Sequence, residues 1–288
     1  MSYAKIHNLY DPRGQEILKD AECYALEKVQ GTSAHLTWKN GRITYSSGGA
    51  DASEFRALFD DAALTEAFRG LSGDAGATVY GEAYGGTQQG QAWRYGPSLR
   101  FVAFEVQAKG GFRPVPVAQG IVVALGLEFV PWKRVTTDLA SLDAERDAPS
   151  LVARCRGMGV QPREGVVLRP LAERFVNNER AIAKHKRKEE RETATYREVN
   201  AADAVVYENA RAVADEWVTA ERMRHVAARV SVNLGRALNV RDTPTVIAAM
   251  VEDVLIEGAS EVPDTAEVRK ELARAVPRRF NEWMKETR

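Results

Sequence analysis

Apolar and polar residues alternate along much of the first half of the chain, a pattern typical of half-buried β-strands. The alternation over residues 22–46 is interrupted by Asn40-Gly41. Since Asn-Gly is a strong signal for a type I′ turn, these residues predict a hairpin, with Lys28 near the start of the same sheet. Further strands are predicted at residues 78–82, 99–107, 165–169 and 182–186, with a Pro-rich sheet edge at residues 114–116.

Helical spacing of apolar residues marks most of the remaining segments. Residues 53–69 predict one helix, with Ser53 as its N-cap and Gly70 at its end. Residues 118–127 and 151–158 also have helical patterns, and the pattern is helical throughout residues 201–288. The charged stretch 188–197 is therefore interpreted as a linker, which predicts two domains, 1–192 and 198–288.

Composition places the chain among soluble globular proteins. Hydrophobic residues make up 44% of its 288 residues and charged residues 28%. The 40 basic and 40 acidic residues cancel, so any binding to nucleic acid must come from local basic patches. Cys23 and Cys155 match no disulfide or zinc spacing, and neither a signal segment nor a membrane span is evident. A soluble, cytoplasmic protein is expected, with no membrane partner.

Lys28 is the first candidate for chemistry. It lies on an apolar strand three residues before Gly31, which allows another backbone or a ligand to come close. Desolvation and neighbouring cations favour the neutral amine, which is a nucleophile toward carbonyl and phosphoryl groups. Taken alone, the stretch favours an ordinary strand lysine with its ammonium in water.

Four further segments follow Lys28 in an order that changes this interpretation. The five, in sequence, are 28–31 KVQG, 81–85 GEAYG, 101–106 FVAFEV, 164–169 EGVVLR and 184–186 KHK. Their order and spacing resembles the covalent nucleotidyltransferases, the polynucleotide ligases and mRNA capping enzymes, and most closely the RNA ligase 2 family. The resemblance covers nearly the whole chain. It implies an α+β nucleotidyltransferase domain with ATP-grasp-like antiparallel sheets and flanking helices, followed by a small all-α domain.

The activity implied by this resemblance is that of an ATP-dependent RNA ligase. Such enzymes form a lysyl-adenylate, transfer AMP to an RNA 5′-phosphate and seal it to a 3′-hydroxyl, here in a nicked duplex or between bridged ends. ATP and Mg²⁺ or Mn²⁺ are the implied cofactors, and a monomer is expected. In the helical domain Arg222, Arg224 and Arg229 are candidate RNA contacts, or equally a solvated helix face.

Two alternatives remain open. A capping-type guanylyltransferase would use GTP at the same lysine, but that family usually has an OB-fold after its last motif, where this chain has helical patterns. The same difference disfavours DNA ligation. The second alternative is a non-catalytic nucleotide- or RNA-binding protein on the same fold.

The resemblance also implies a role for individual residues. Lys28 is the expected nucleophile, and Arg169, Lys184 and Lys186 would supply positive charge that favours its neutral form and steadies the phosphates. Glu82 would hold the ribose, and Glu164 would act through hydrated magnesium. The alternatives without function are that Lys184 and Lys186 form a solvated charged face and that Glu82 lies in a surface turn.

The adenine base would be held by an aromatic ring and by backbone groups. Phe104 or Phe101 is expected to stack on it, with Phe104 favoured, and at least one of the two should be a core residue because residues three apart point to opposite faces of a strand. Backbone groups at Glu27 would read the adenine edge. Gly31 would allow the close approach.

One feature of the family pattern is missing. The family usually carries an arginine shortly after the first hairpin, where this chain has residues 44–48, TYSSG. Arg42 and Arg56 are nearby, and Ser33 stands where asparagine is commoner. We expect a divergent but active member.

Overall fold

The computed structural model describes residues 3–72, 76–109, 111–190, 192–195, 199 and 209–287. The chain divides into two compact units. The first consists of the segment up to Leu9 and Arg13–Arg187, and the second of Tyr10–Pro12 and Lys188–Arg288. The predicted turn residue Gly110, parts of the predicted linker and residues 201–208 of the predicted helical region lie outside the described residues.

The first unit is built mainly from strands. They are β1 His7–Asn8, β2 Glu22–Lys28, β3 Thr32–Lys39, β4 Arg42–Ser47, β5 Ala77–Tyr84, β6 Arg100–Ala108, β7 Gly111–Phe112, β8 Trp132–Thr136, β9 Gly165–Pro170, β10 Phe175–Val176, β11 Glu179–Arg180 and β12 Ala183–Lys186. One five-stranded sheet has the order β1-β12-β9-β2-β8, and a second has the order β4-β3-β5-β6-β7. Strands β10 and β11 form a separate two-stranded ribbon.

Its helices are short. They are α1 Ala52–Arg56, α2 Asp61–Ser72, α3 Ala92–Tyr95, α4 Val115–Ala124, α5 Leu139–Asp147 and α6 Leu151–Cys155. Helices α1, α2 and α4 contribute Phe55, Phe68 and Val122 to a core against the second sheet, where the rings of Trp38 and Phe68 stack at 5.7 Å. The α+β class with antiparallel sheets is therefore confirmed.

The predicted hairpin is present, but Lys28 does not belong to its sheet. Asn40 and Gly41 have φ values of 50° and 73°, as a type I′ turn between β3 and β4 requires. Strand β2 pairs instead with β9 and β8 in the first sheet. Because both edges of β2 are occupied, no edge remains for β3, and the chain crosses to the second sheet between Lys28 and Thr32.

Two predictions for local structure were wrong. The single helix predicted at residues 53–69 is two helices, α1 and α2, and the first is capped by Asp51, whose carboxylate accepts from the N–H groups of Ser53 and Glu54. The Pro-rich edge is the start of α4, with Pro114 as its N-cap residue. Proline is tolerated in a first helical turn because the N–H that it lacks has no helical partner there.

The second unit is helical in its described residues, as predicted. Its helices are α7 Ala210–Trp217, α8 Ala220–Leu234, α9 Thr243–Glu257 and α10 Ala266–Glu286, around a core that includes Trp217, Met250, Leu272 and Phe280. No helix among the described residues combines the length and apolarity that crossing a membrane requires.

Arg222 was wrongly predicted as a surface candidate for RNA contact. Its side chain is 2% exposed and its Nη1 donates to Asp253 Oδ2 at 2.6 Å. The guanidinium also lies over the ring of Trp217, 5.0 Å from its centroid. Arg222 therefore belongs to the core of the second unit and is neither an RNA contact nor part of a solvated face.

Candidate active site

Three neighbouring strands place Lys28, Gly165 and Lys186 in one row. In the antiparallel register of the first sheet, Lys28 on β2 is paired with Gly165 on β9, which is paired with Lys186 on β12. Paired residues on neighbouring strands point to the same face, so both lysine side chains leave the sheet on one side. Gly165 between them has no side chain, and the backbone of β12 fills the space that a Cβ atom would take, 2.2 Å from the carbonyl oxygen of His185.

The two lysines meet at the carboxylate of Glu164. Lys28 Nζ donates to Glu164 Oε2 at 2.7 Å, and Lys186 Nζ lies 3.0 Å from Oε1 of the same group. The side chain of Glu164 is 2% exposed. A buried carboxylate is stable only when it is paired, and here each oxygen faces one ammonium group. The Lys28 side chain keeps 23% exposure, so its ammonium is reachable from outside.

Lys184 lies on the same face as Lys186, one pleat further along β12. It is paired in register with Val167, which is paired with Leu26 two residues before Lys28. Its side chain is largely buried. The lysines of the KHK segment therefore lie on the Lys28 face of the sheet, and neither forms a solvated charged surface.

Glu27 points to the opposite face of the sheet from Lys28. Its carboxylate accepts from Ser150 Oγ at 2.5 Å and from the backbone N–H of Leu151 at 2.9 Å, so it binds the N-terminus of α6. Burial raises the pKa of the Glu27 carboxyl, partly offset by these hydrogen bonds and by Arg163. The backbone N–H of Glu27 donates to the carbonyl of Pro131 at 2.8 Å.

Gly31 brings the Lys28 segment against strand β5. A Cβ atom at this glycine would lie 2.3 Å from the carbonyl oxygen of Ala83 and 3.0 Å from Cγ of Glu82. Only a residue without a side chain permits this approach. Glu82 is paired with Ser33 at the start of β3 and is half-buried, so it lies next to the crossing that follows Lys28.

Phe101 and Phe104 pack into different parts of the first unit. Phe101 is buried against Phe55 and Phe59 at centroid distances of 5.7 and 5.6 Å, in the core of the second sheet. Phe104 lies at a bulge in β6, where the register with β5 shifts. It is half-buried and packs against the cluster that contains Leu26 and Val29. The structure therefore places Phe104, and not Phe101, beside the Lys28 strand.

Arg169 does not join the lysines. Its Nη2 atom lies 2.7 Å from Glu105 Oε1 and 2.5 Å from Glu173 Oε1, and its side chain is 2% exposed. Glu105 is fully buried and is also bound by Arg180 at 2.6 Å. The predicted contribution of Arg169 to the positive charge around Lys28 is thus replaced by a buried ion-pair cluster, because two carboxylates take up its guanidinium.

Sequence reasoning missed the residues that hold the Lys28 segment from α3. Arg94 Nη1 donates to Gln30 Oε1 at 3.1 Å, and the backbone N–H of Gln30 donates to Tyr95 Oη at 3.3 Å. Arg94 and Tyr95 are both buried. The sequence signal was a short Trp-Arg-Tyr run inside a Gly- and Gln-rich loop, which has no periodicity to mark it.

The comparisons identify the class of protein that this fold and site define. A family model described as RNA ligase matches residues 21–186, more than half of the chain. The matched range contains all five motif segments. The chain therefore belongs to the RNA ligase family. No curated protein sequence matches it.

Solved structures show the same fold. A point mutant of the Naegleria gruberi RNA ligase with ATP and Mn has 17% sequence identity and a TM-score of 0.51, covering 65% of this chain and 56% of that one. A second mutant with ATP and Mn has 17% identity and a TM-score of 0.52, with 66% and 56% covered. The same ligase with PPi has 18% identity and a TM-score of 0.50, with 65% and 56% covered. This chain thus spans little more than half the length of these proteins.

Proposed function

We propose that the protein is an ATP-dependent RNA ligase that forms a covalent adenylate on Lys28. The observation that carries the proposal is the convergence of Lys28 and Lys186 on the buried carboxylate of Glu164, at 2.7 and 3.0 Å. Family membership and the fold of solved ligases with ATP and Mn support it. The proposed substrates are ATP and RNA ends that carry a 3′-hydroxyl and a 5′-phosphate.

In the first step the nitrogen of Lys28 attacks the α-phosphorus of ATP. The new bond is N–P, and the bond that breaks joins the α-phosphorus to the oxygen of the leaving pyrophosphate. The nitrogen must present a lone pair to the phosphorus, but in this structure it donates to Glu164 Oε2 at 2.7 Å. Lys28 therefore has to release Glu164, and the proton that its nitrogen gives up on bonding to phosphorus passes to solvent, to which the side chain is 23% exposed. Lys184 and Lys186 then place positive charge where the transferring phosphoryl group spreads its negative charge.

The nucleoside end of ATP would lie toward the crossing between the sheets. Glu82 has carboxylate oxygens that accept well from the two ribose hydroxyls. Phe104, half-buried next to the Lys28 strand, would stack on the adenine ring. The close approach of Gly31 to β5 keeps Glu82 next to the nucleophile's own segment.

A magnesium or manganese ion would be held at this site through water and substrate phosphates. Among the described residues there is no group of three or more His, Cys, Asp or Glu side chains that could form a metal cage. Mg²⁺ commonly keeps several waters and binds through one or two carboxylates together with substrate phosphates. Glu164 would hold the ion through such waters, and the ion would supply charge stabilisation to the phosphates.

The later steps transfer AMP to RNA and seal the strand. An oxygen of the RNA 5′-phosphate displaces Lys28 from the adenylate, and the 3′-hydroxyl then attacks that phosphate and releases AMP. We propose a nick in duplex RNA or bridged ends as the substrate, gripped in part by the second unit. Arg224 and Arg229, with side chains 38% and 42% exposed, stay candidates for that contact although each is paired with a carboxylate.

The test is covalent labelling with α-phosphate-labelled ATP or GTP and magnesium, followed by denaturing electrophoresis. We expect label from ATP on the wild type and none on Lys28→Ala. Lys133→Ala is the matched control, since this lysine lies on β8 of the same sheet with a side chain 63% exposed. Label from GTP alone would move the protein to the capping class. No label on folded protein free of bound AMP would refute the ligase proposal.

A further inference from the structure

Trp93 is an exposed aromatic residue on α3, whose next two residues hold the Lys28 segment. Its exposure is 52%, whereas the other four tryptophans of the chain are buried or half-buried. A single exposed apolar residue is common on protein surfaces, but tryptophan is enriched at interfaces because its ring is apolar and its N–H can donate a hydrogen bond. Trp93 differs from the other exposed apolar residues in the contacts that position its ring and its helix.

A buried arginine, Arg94, packs against the Trp93 ring. The guanidinium carbon of Arg94 lies 4.7 Å from the centroid of the Trp93 ring, while Arg94 itself is 2% exposed. This cation–π contact favours the position in which the ring covers the guanidinium. The same arginine donates to Gln30 at 3.1 Å, and Tyr95 accepts from the backbone of Gln30 at 3.3 Å. Helix α3 is thus attached at two points to the Lys28 segment.

This attachment fixes where the ring lies. Gln30 is two residues beyond Lys28, so their Cα atoms are within about 7 Å of each other. Gly31 then lies against Glu82 on β5. Trp93 therefore borders the region in which the proposed function places the lysyl-adenylate. Unlike Phe104, which is half-buried inside the unit, Trp93 is exposed and can be reached by a macromolecule.

We propose that Trp93 is a stacking platform for a base of the RNA strand end that is being sealed. The proposal rests on the proposed function. A ligase must hold strand ends of any sequence, and stacking on an aromatic ring does so because every base has a π-face. RNA-binding proteins recognise accessible bases at strand ends through such rings. Arg94 behind the indole keeps the platform rigid, so little conformational entropy is lost on binding.

The experiment separates adenylylation from sealing in the full chain. Adenylylation is measured with labelled ATP, and sealing is measured without ATP on a nicked RNA duplex that already carries a 5′-adenylylated end. For Trp93→Ala we expect wild-type adenylylation, together with an increase of about tenfold in the KM for RNA, the effect of one lost base–aromatic stack. Trp93→Phe keeps a ring and should stay close to the wild type.

Phe175→Ala is the matched control, because Phe175 is 59% exposed on the separate two-stranded ribbon. It should change neither reaction. An unchanged KM for RNA in Trp93→Ala would overturn the proposal. So would an equal increase in Phe175→Ala, or a parallel loss of adenylylation and sealing, which would place Trp93 at the ATP site or in the fold. Failure of the wild type to form any adenylate would instead refute the ligase function itself.

Discussion

Gly165 lies in the strand row between Lys28 and Lys186, where a side chain would collide with the backbone of β12. Its φ is +155°, and a Cβ atom there would lie 2.2 Å from the carbonyl oxygen of His185 on β12. That contact is with backbone, so it cannot be relieved by turning a side chain. A larger residue must push β12 away from β9, and Lys186 moves with it.

We therefore expect Gly165→Ala to lower the free energy of unfolding by at least about 1–3 kcal/mol, the cost of a strained backbone position. Adenylylation should fall as well, since Lys186 leaves Glu164. Urea unfolding and the labelling assay measure the two effects. Gly70→Ala is the control: nothing lies within 4 Å of its Cβ position on α2, and alanine should stabilise that helix by about 0.5–1 kcal/mol. Equal stability of Gly165→Ala and the wild type would contradict the argument.

At the scale of elements, β12 presents different chemistry on its two faces. Lys184 and Lys186 point to the Lys28 side, while His185 points to α5, where its Nε2 atom lies 2.6 Å from Asp143 Oδ1 and 3.0 Å from Nη1 of Arg146. Burial lowers the pKa of His185 from its ordinary 6.5. The hydrogen bond to Asp143 opposes this effect, and the charge of Arg146 adds to it.

This lowered pKa predicts a pH dependence of stability. The contribution of His185 is fully present above pH 6.5 and is lost as the pH falls from there through the lower pKa of the folded state, because the unfolded chain binds the proton first. In that window the wild type should lose up to about 1.4 kcal/mol per pH unit more than His185→Gln. Urea unfolding of both proteins between pH 8 and pH 5 measures the difference. Curves that stay parallel over this range would show that His185 plays no such part.

The elements that sequence patterns predicted best are those with uninterrupted alternation. Strands β5, β6 and β9 lie where expected, and the Asn40-Gly41 turn has the predicted backbone. The patterns failed where an element's identity depended on its neighbours. Helices α1 and α2 share one apolar periodicity although the helix is interrupted between them. The pattern of β2 is that of a hairpin strand, although β2 pairs with β9 in the other sheet.

At the scale of the whole molecule the net charge is zero, and charged side chains form buried ion pairs inside each unit. Arg222 is the clearest case in the second unit: it is 2% exposed and lies 2.6 Å from Asp253, which also binds Arg229 at 2.9 Å. Removing Arg222 leaves Asp253 paired with Arg229 alone and takes a neighbouring positive charge from Glu192, whose Oε2 atom lies 3.6 Å from Nη1 of Arg222.

We expect Arg222→Ala to lower the free energy of unfolding by about 3–5 kcal/mol. The measurement is chemical denaturation followed by far-ultraviolet circular dichroism, which reports on the helical second unit. Arg211→Ala serves as the control, since its side chain is 81% exposed and an exposed pair contributes little. A stable Arg222→Ala variant with weakened RNA binding would restore Arg222 as a surface contact.

The sequence by itself determined the family, the order of the motif residues and the character of both units, because local periodicity, turn chemistry and short motifs are written in neighbouring residues. Only the tertiary structure decided which of those residues meet. Lys28 and Glu164 are 136 positions apart in sequence, and the register of β2, β9 and β12 brings them to 2.7 Å. The same long-range packing sends Arg169 to Glu105 and attaches α3 to Gln30. Such contacts depend on which strands pair and in what register, and no local pattern specifies that.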